Sequence, residues 1–541
     1  MAGHRIFWGD THHNTYQNPD PKPTLAEVIA FARTYLDFYT GAYYTPARGH
    51  VPLRDPARAG TVAVEGGHPS EQSAAGQTWR GIGVEGDKPA DLIEREWDEF
   101  CRVIDEANTP GEFVAFPGYE WQGDGTWGDH NVVYHKENAP VYMTPTLPEL
   151  YAKLRQHDAI AIPHHTGYLP GIRAPRWEHC DEALSPFAEL FSVHGCSETD
   201  EEWVGLRHNS HMGPGVGGGA YQNALDRGLH VGAICSTDNW TSFPAFYGQG
   251  IAACLATELT RDAIWEAFKA RRVYGATGDR IELAFTVDDA PMGSIVDAKG
   301  ARRIVARARG ADAIDRIELL RDGRVIATHN HQGTWDVPPD GAPSRFKLRL
   351  EAGWGPRPGE IPFRERAWRG ELSVSEGRVV GWQPCWLSRG QGVPEIDGAT
   401  ARFELVSRQE YVSRPFQGGV VFEVEADPSA RATLSLNGLE ISDTLGALAQ
   451  GSRLLWYRDE VLAMLREATG VDPSTFERQD PVYYHYAHKA KLHRAAPEAA
   501  YVAALEHTDE APLAKEVNYR VRVEQRNGQR AWSSPVWVRP G

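Results

Sequence analysis

The sequence predicts an α/β protein: a barrel of strand–helix units over residues 1–280, then an antiparallel β-sandwich over 281–541 carrying a helical insertion around 445–505. Three observations predict it. Strand and helix patterns alternate from residue 5 to about 280, which implies parallel βαβ units. Five of those strands end in Asp, Glu or His. Past residue 281 the apolar pattern changes to a period of two, with Asp322-Gly323 and Asn437-Gly438 as tight-turn dipeptides.

The elements follow in order. Arg5-Ile6-Phe7-Trp8 is a short apolar strand that runs into Gly9-Asp10-Thr11-His12-His13-Asn14-Thr15. Thr24 and Glu27 form a capping box ahead of a helix with Leu25, Val28, Ile29 and Ala32 on one face. A strand over 36–40 follows, and residues 49–90, rich in Gly, Pro and charge, read as a long excursion or lid. Helices are expected over 91–107, 147–156, 222–227 and 261–271, and strands over 113–116, 159–162, 189–193 and 231–235. Six or seven such units suit a barrel, since barrels of this kind run to roughly 250 residues. Beyond 281, residues 281–287, 316–320, 345–350 and 519–524 alternate as half-buried strands do, and a helix over 457–468 interrupts them.

At 541 residues the chain exceeds one ordinary core. A formal net charge of −17 and a sequence pI of about 5.7 argue against nucleic acid or an anionic membrane as partner, because both need a basic face. The six cysteines form no CxxC pair, so neither a zinc ribbon nor a disulfide framework is expected. No apolar leader opens the sequence and no stretch is apolar enough to span a membrane, so a cytoplasmic protein is the expectation, and a homo-oligomer is compatible with it.

The chemistry concentrates at the strand ends. Asp10 and His12 close the first strand, Glu120 the segment 113–119, His164 and His165 the segment 159–163, His194 the segment 190–193, and Asp238 the segment 231–237. Imidazole nitrogens with carboxylate oxygens suit Zn, Mn or Fe better than Ca or Mg. The expected metal ligands are Asp10, His12, Glu120, His164, His194 and Asp238, around one or two divalent ions. His164 is preferred over His165 as ligand, because neighbours on an extended strand point to opposite faces. Catalytic proton transfer is expected of His165 and His130, with Asp10 taking part. Arg207, His208 and His211 lie in a Gly-rich loop that reads as a substrate lid; Asn14 and Trp240 are further substrate contacts; and Arg173, Arg207 and Arg280 are candidate clamps for an anionic group, although for Arg280 an ion pair between domains is the preferred reading.

Asp10-Thr11-His12-His13-Asn14-Thr15 resembles the first motif of the PHP (polymerase and histidinol phosphatase) superfamily, Asp-Leu-His-x-His-Thr. The chain at large resembles the PHP-related family DUF3604, through Trp8-Gly9-Asp10, Gly118-Tyr119-Glu120-Trp121, Pro163-His164-His165, Ser192-Val193-His194-Gly195, Ser236-Thr237-Asp238-Asn239, Ala276-Thr277-Gly278-Asp279-Arg280 and Ala531-Trp532-Ser533-Ser534-Pro535. The resemblance implies a PHP-type distorted (β/α)7 barrel with metals at its carboxyl face. It also implies phosphoesterase chemistry, with up to three metals. Three departures stand out: Asn14, Ala42 and Trp240 occupy positions where the superfamily has His. Their joint change implies that one metal site has been removed.

The resulting expectation is a metal-dependent hydrolase, a phosphoesterase, that attacks a small anionic ester with metal-activated hydroxide. Two alternatives remain open. One is a metal-dependent hydrolase or lyase acting on a sulfate ester, C–O or C–N bond. The other is a non-catalytic binding protein with a decayed site.

Overall fold

The structure is a computed structural model, and it describes residues 3–16, 23–44, 90–136, 139–200, 217–239, 243–332, 337–355, 365–408 and 417–541. It is a mixed α/β protein with a large share of sheet. Strand β1 spans Arg5–Thr15, so the Asp-Thr-His-His-Asn motif lies within the strand. From Phe7 onward every residue of β1 is buried. Phe7 joins an apolar cluster with Phe38, Val114 and Phe268, while Trp8 joins another with Tyr39, Tyr43 and Tyr274. Both faces of the strand are covered, as an interior strand of a layered α/β protein requires.

β1 pairs in parallel with β2 (Phe38–Tyr44) and antiparallel with Ile251–Ala256. β2 pairs in parallel with β3 (Val114–Phe116) and β4 (Gly118–Trp121). β4 then runs antiparallel to β5 (His130–Tyr134), and β5 antiparallel to β6 (Ala159–Pro163). The uniformly parallel order expected from the strand–helix pattern is therefore corrected to a mixed sheet. The link from Trp121 to His130 is a short loop, too short for a parallel crossover, so β4 and β5 fold back on each other. Phe187–Ser192 and Gly232–Cys235 keep the expected parallel pairing, in a separate three-stranded sheet.

The expected helices are present at Leu25–Tyr35, Ala90–Ala107, Leu147–Leu154, Tyr221–Asp226 and Arg261–Lys269. The Thr24 hydroxyl accepts from the Glu27 amide while Glu27 accepts from the Thr24 amide, closing the capping box. No helix among the described residues is long and apolar enough to cross a membrane.

Beyond residue 281 the sheets are mostly antiparallel. Ser344–Gly353, Gly418–Ala426 and Gly377–Cys385 form one set, and Arg366–Val374, Thr400–Ser407 and Arg431–Leu436 another. Phe346, Leu348, Trp368, Phe403, Phe422 and Leu434, drawn from both sets, share one apolar cluster. Asp322 and Gly323 have φ of 48° and 76°, and Asn437 and Gly438 of 44° and 85°. Two consecutive positive φ values make the type I′ hairpin that those dipeptides favour. The principal sheet also crosses residue 280: Val273–Ala276 pairs with Ile251–Ala256 on one edge and with Arg530–Ser533 on the other.

Candidate metal centre

Every ligand-type strand end within the described residues reaches one buried region. The β1–β2 register breaks between Asp10 and His13, which turns the His12 side chain inward. Its Nδ1 lies 3.1 Å from Glu189 Oε2, and its Nε2 lies 3.2 Å from Asp238 Oδ1 and 3.7 Å from Glu120 Oε2. His164 Nε2 is 3.6 Å from Glu120 Oε1, and its ring centroid is 4.2 Å from that of His12. His194 Nε2 is 3.1 Å from Asp238 Oδ2. Asp238 is held at a positive φ of 48°, and its amide donates to the His12 carbonyl at 2.7 Å. His12, Glu120, His164, His194 and Asp238 are thus brought together.

Three groups of side chains offer ligand atoms within 4.8 Å of one another: His12, Glu120 and His164; His12, Glu189 and Asp238; and Asp129, His164 and His165. β6 ends at Pro163, and His165 takes φ of 32°, so both histidines of the pair turn toward the centre. The expectation that only one of them could do so held only for a continuing strand.

Asp10 sits differently from what its place in the motif implies. Its Oδ1 accepts from the amides of His12 (3.0 Å) and Thr237 (3.2 Å), and its Oδ2 from the Thr237 hydroxyl (2.5 Å) and the Ala245 amide (2.8 Å). Four donors fill the four lone-pair directions of a carboxylate. Burial lifts its pKa in spite of these bonds. In this arrangement Asp10 ties β1 to the segments at 237 and 245, and it belongs to none of the three groups.

His130 is also elsewhere. It pairs across β4–β5 with Trp121, whereas Glu120 pairs with Asn131. Directly paired residues share a face, so His130 points with Trp121 away from the centre. Its Nδ1 donates to the Gly128 carbonyl at 2.9 Å, and its ring packs edge-on to Trp121 and Tyr151. Burial pushes its pKa down to about 3. Unfolded histidine titrates near 6.5, so the unfolded chain binds the extra proton first and stability falls as pH drops from 6.5 toward 3. Between pH 7 and pH 5 the native protein is expected to lose about 2 kcal/mol more than a His130→Gln variant, as urea titrations at the two pH values would measure. A His130→Gln variant with the same pH dependence as the native chain would contradict this placement.

Sequence reasoning missed two carboxylates. Glu189 lies inside the apolar strand Phe187–Ser192; its Oε2 accepts from the Ser236 hydroxyl at 2.6 Å and faces His12. Asp129 is fully buried, accepts from Arg173 Nε at 2.7 Å and lies 3.4 Å from His165 Nε2. A lone carboxylate within an otherwise apolar strand was the available signal for Glu189.

Electrostatics divide the cluster. Burial opposes charge on His12, but Asp238, Glu120 and Glu189 together hold its pKa well above normal. Glu120 is held well below the usual carboxylate range, since His12 and His164 outweigh its burial. Burial pushes Asp238 up to about 7 and Asp129 up to about 6. It pushes His194 down to about 3, and it drives His165 well below 6.5 with help from His164 and Arg173.

Two of the three departures from the PHP motif, Asn14 and Ala42, are neighbours. Asn14 pairs with Ala42 across β1–β2, and its amide donates to the Asn239 carbonyl at 2.9 Å. Trp240, Arg207, His208 and His211 lie outside the described residues. Among the described residues Arg280 makes no ion pair of the kind expected for it: its guanidinium donates to the Tyr35 carbonyl.

The family described as "Protein of unknown function (DUF3604)" matches residues 55–166 and 194–307, less than half of the chain. An uncharacterized protein of Chlamydia pneumoniae is 25% identical over 261 residues, covering 43% of this chain and 40% of that protein. One from Chlamydia muridarum is 27% identical over 259 residues, with 43% and 40% covered. The chain spans about two fifths of the length of the curated relatives it matches. Among solved structures, a two-domain protein from Bacteroides vulgatus, described as containing a predicted PHP-like metal-dependent phosphoesterase, aligns at 12% identity and a TM-score of 0.31, covering 59% of this chain and 80% of that one. The chain is thus similar in sequence to the DUF3604 family across the segments that carry Glu120, His164, His165, His194 and Asp238.

Proposed function

We propose that the chain is a metal-dependent hydrolase of anionic esters, with a phosphate ester as the first candidate. One observation carries this reading. Among the described residues, His12 Nε2, Glu120 Oε2, both ring nitrogens of His164, and Asp238 Oδ2 are buried and make no well-aligned hydrogen bond, although His12, Glu120, His164, His194 and Asp238 crowd to 3.1–3.7 Å of one another. Each such orphan costs on the order of 1–3 kcal/mol, and a shared cation is the partner that suits imidazole and carboxylate together. The donor set fits Zn, Mn or Fe. His12, Glu120, His164, Glu189 and Asp238 would hold one or two ions; because His12 and His164 each belong to two groups, three independent sites are not expected.

Bound there, such ions would acidify a water and polarise an ester oxygen. The chain's own residues do the rest. Glu189 accepts from His12 Nδ1, which fixes the tautomer and aims Nε2 at Glu120 and Asp238. Burial, with His164 and Arg173 nearby, disfavours charge on His165, which suits a ligand or a base better than the proton donor expected from sequence. In the same reading the strands around the centre form the distorted barrel of the PHP superfamily, and the paired antiparallel sheets beyond residue 281 form a β-sandwich.

A second reading, hydrolysis or elimination at a non-phosphate bond, draws on the adjacent Asn14 and Ala42, which leave the pocket short of imidazole on that side. Elemental analysis of the purified chain and a panel of phosphate mono- and diesters, sulfate esters and amides separate the two. At least one equivalent of Zn, Mn or Fe is expected, with hydrolysis lost on chelation and restored on reloading. A chain that takes up none of these metals, or whose hydrolysis is indifferent to chelation, would refute the metal-dependent reading.

A further inference from the structure

We propose that Arg173 is the oxyanion clamp of this site and takes the tetrahedral anionic group of the substrate, a reading that rests on the hydrolase function above. The arm 166–176 leaves the centre directly after His164 and His165 and is clasped by backbone on two sides. At Gly128 (φ +86°) a Cβ would meet the Cα and N of Pro175 at 2.5 Å; at Gly219 it would meet the carbonyls of Thr166 and Tyr168 at 2.5 and 2.6 Å. The Arg173 amide donates to the Gly125 carbonyl at 2.8 Å, and Arg176 Nε donates to the Thr126 carbonyl at 3.0 Å. Arg173 itself is held at φ of 64°. That left-handed conformation costs a non-glycine residue about 1–2 kcal/mol, and strain of this sort concentrates at functional sites. Glycine would fit that backbone without strain, but it would deliver no guanidinium.

The guanidinium is anchored along one edge only. Nε and Nη2 both bond Asp129 Oδ2, and the group lies 5.5 Å over the Tyr168 ring. The Arg173 side chain is 31% exposed while Asp129 is 0% exposed. No bond is made by Nη1 among the described residues, so Nη1 and the second hydrogen of Nη2 form an open fork. The clamp borders the centre, because Tyr168 packs 4.7 Å from His165 and Asp129 Oδ2 lies 3.4 Å from His165 Nε2. A two-pronged guanidinium matches two oxygens of a phosphate or sulfate group. Asp129 acts through Arg173 and is a positioning residue.

The test measures binding of inorganic phosphate, sulfate and acetate to the full chain by calorimetry, in the wild type and in Arg173→Met and Arg173→Lys. Metal content is measured in each by elemental analysis. Phosphate or sulfate is expected to bind more tightly than acetate. Arg173→Met is expected to weaken that binding tenfold or more with metal content unchanged, and Arg173→Lys to fall between. On a hydrolysed ester, KM should rise more than kcat falls. If Arg173→Met does not fold, phenylglyoxal labelling of the wild type replaces it: phosphate is expected to protect Arg173, as read by peptide mass spectrometry. The inference is overturned if phosphate binds Arg173→Met as it binds wild type, if acetate competes equally, if Arg173→Met loses the metal, or if phosphate leaves labelling of Arg173 unchanged. A chain without metal that still binds phosphate through Arg173 would sink the hydrolase reading and leave the clamp standing.

Discussion

His12→Ala is expected to abolish metal binding and to lower hydrolysis by about a thousandfold or more. Among the described residues His12 is the side chain that meets three carboxylates, Glu120, Glu189 and Asp238, and it belongs to two of the three candidate ligand groups. A thousandfold corresponds to about 4 kcal/mol of barrier, within what a bound ion supplies to a developing charge. Glu189→Gln provides the graded comparison. If Glu189 acts by orienting His12, its loss should cost on the order of 10–100-fold in metal affinity. If it is a ligand, it should cost as much as His12. Metal titration monitored by calorimetry, with steady-state rates beside it, gives both numbers. A His12→Ala protein that retains the native metal content and rate would rule out the centre as drawn.

The second large effect is one of stability. Asp279→Leu is expected to destabilise the fold by about 3–5 kcal/mol, because it leaves the buried Arg349 guanidinium with only the more distant Glu351, at 3.9 Å, as counter-charge. Asp279 Oδ2 accepts from Arg349 Nη2 at 2.5 Å and from Gln525 Nε2 and Asn527 Nδ2 at 2.7 Å, and its Oδ1 accepts from the Tyr247 hydroxyl at 2.8 Å. The two side chains of the ion pair are 5% and 0% exposed. Burial works against the Asp279 charge, but Arg349 and the other donors hold its pKa below normal. Its stabilisation is therefore present above the unfolded value near 3.9 and is lost as pH falls through the folded value. The double variant Asp279→Leu/Arg349→Met is expected to recover most of the loss, since it buries no lone charge. Urea denaturation of the single and double variants measures both. The effect should reach the candidate metal centre as well. Tyr247 belongs to the loop whose Ala245 amide bonds Asp10 and whose Gln249 accepts from Asn239.

Local chemistry was readable where a short range of residues decided the outcome. The Thr24–Glu27 box, the Asp322-Gly323 and Asn437-Gly438 turns, and the helices at Leu147 and Arg261 depend on neighbours in sequence. So does a ligand-type residue placed just past a strand, and His12, Glu120, His164, His194 and Asp238, read in this way, lie close together in the structure. Strand direction was not readable, because the pairing of β4 with β5 and of β1 with Ile251–Ala256 depends on loop length and on distant partners. Face was not readable either. His130 and Asn131 differ by one position, yet only Asn131 shares the face of Glu120. Glu189 escaped because its position inside a strand looks structural until Ser236 and His12 are brought beside it from elsewhere in the chain.

The pairing of Val273–Ala276 with Arg530–Ser533 also sets an order of events during synthesis. Roughly 250 residues separate those strands, which at about 5–20 residues per second amounts to ~10–50 s of translation. For that interval the sheet built on β1 has an edge with its amides and carbonyls exposed, open to strands of other nascent chains. Arg520 and Arg522, which meet the buried Glu198, arrive in the same late segment. Completion of that sheet therefore waits on strands made long after β1. Slowing translation after residue 280 is expected to lower the yield of soluble protein more than slowing it before that point.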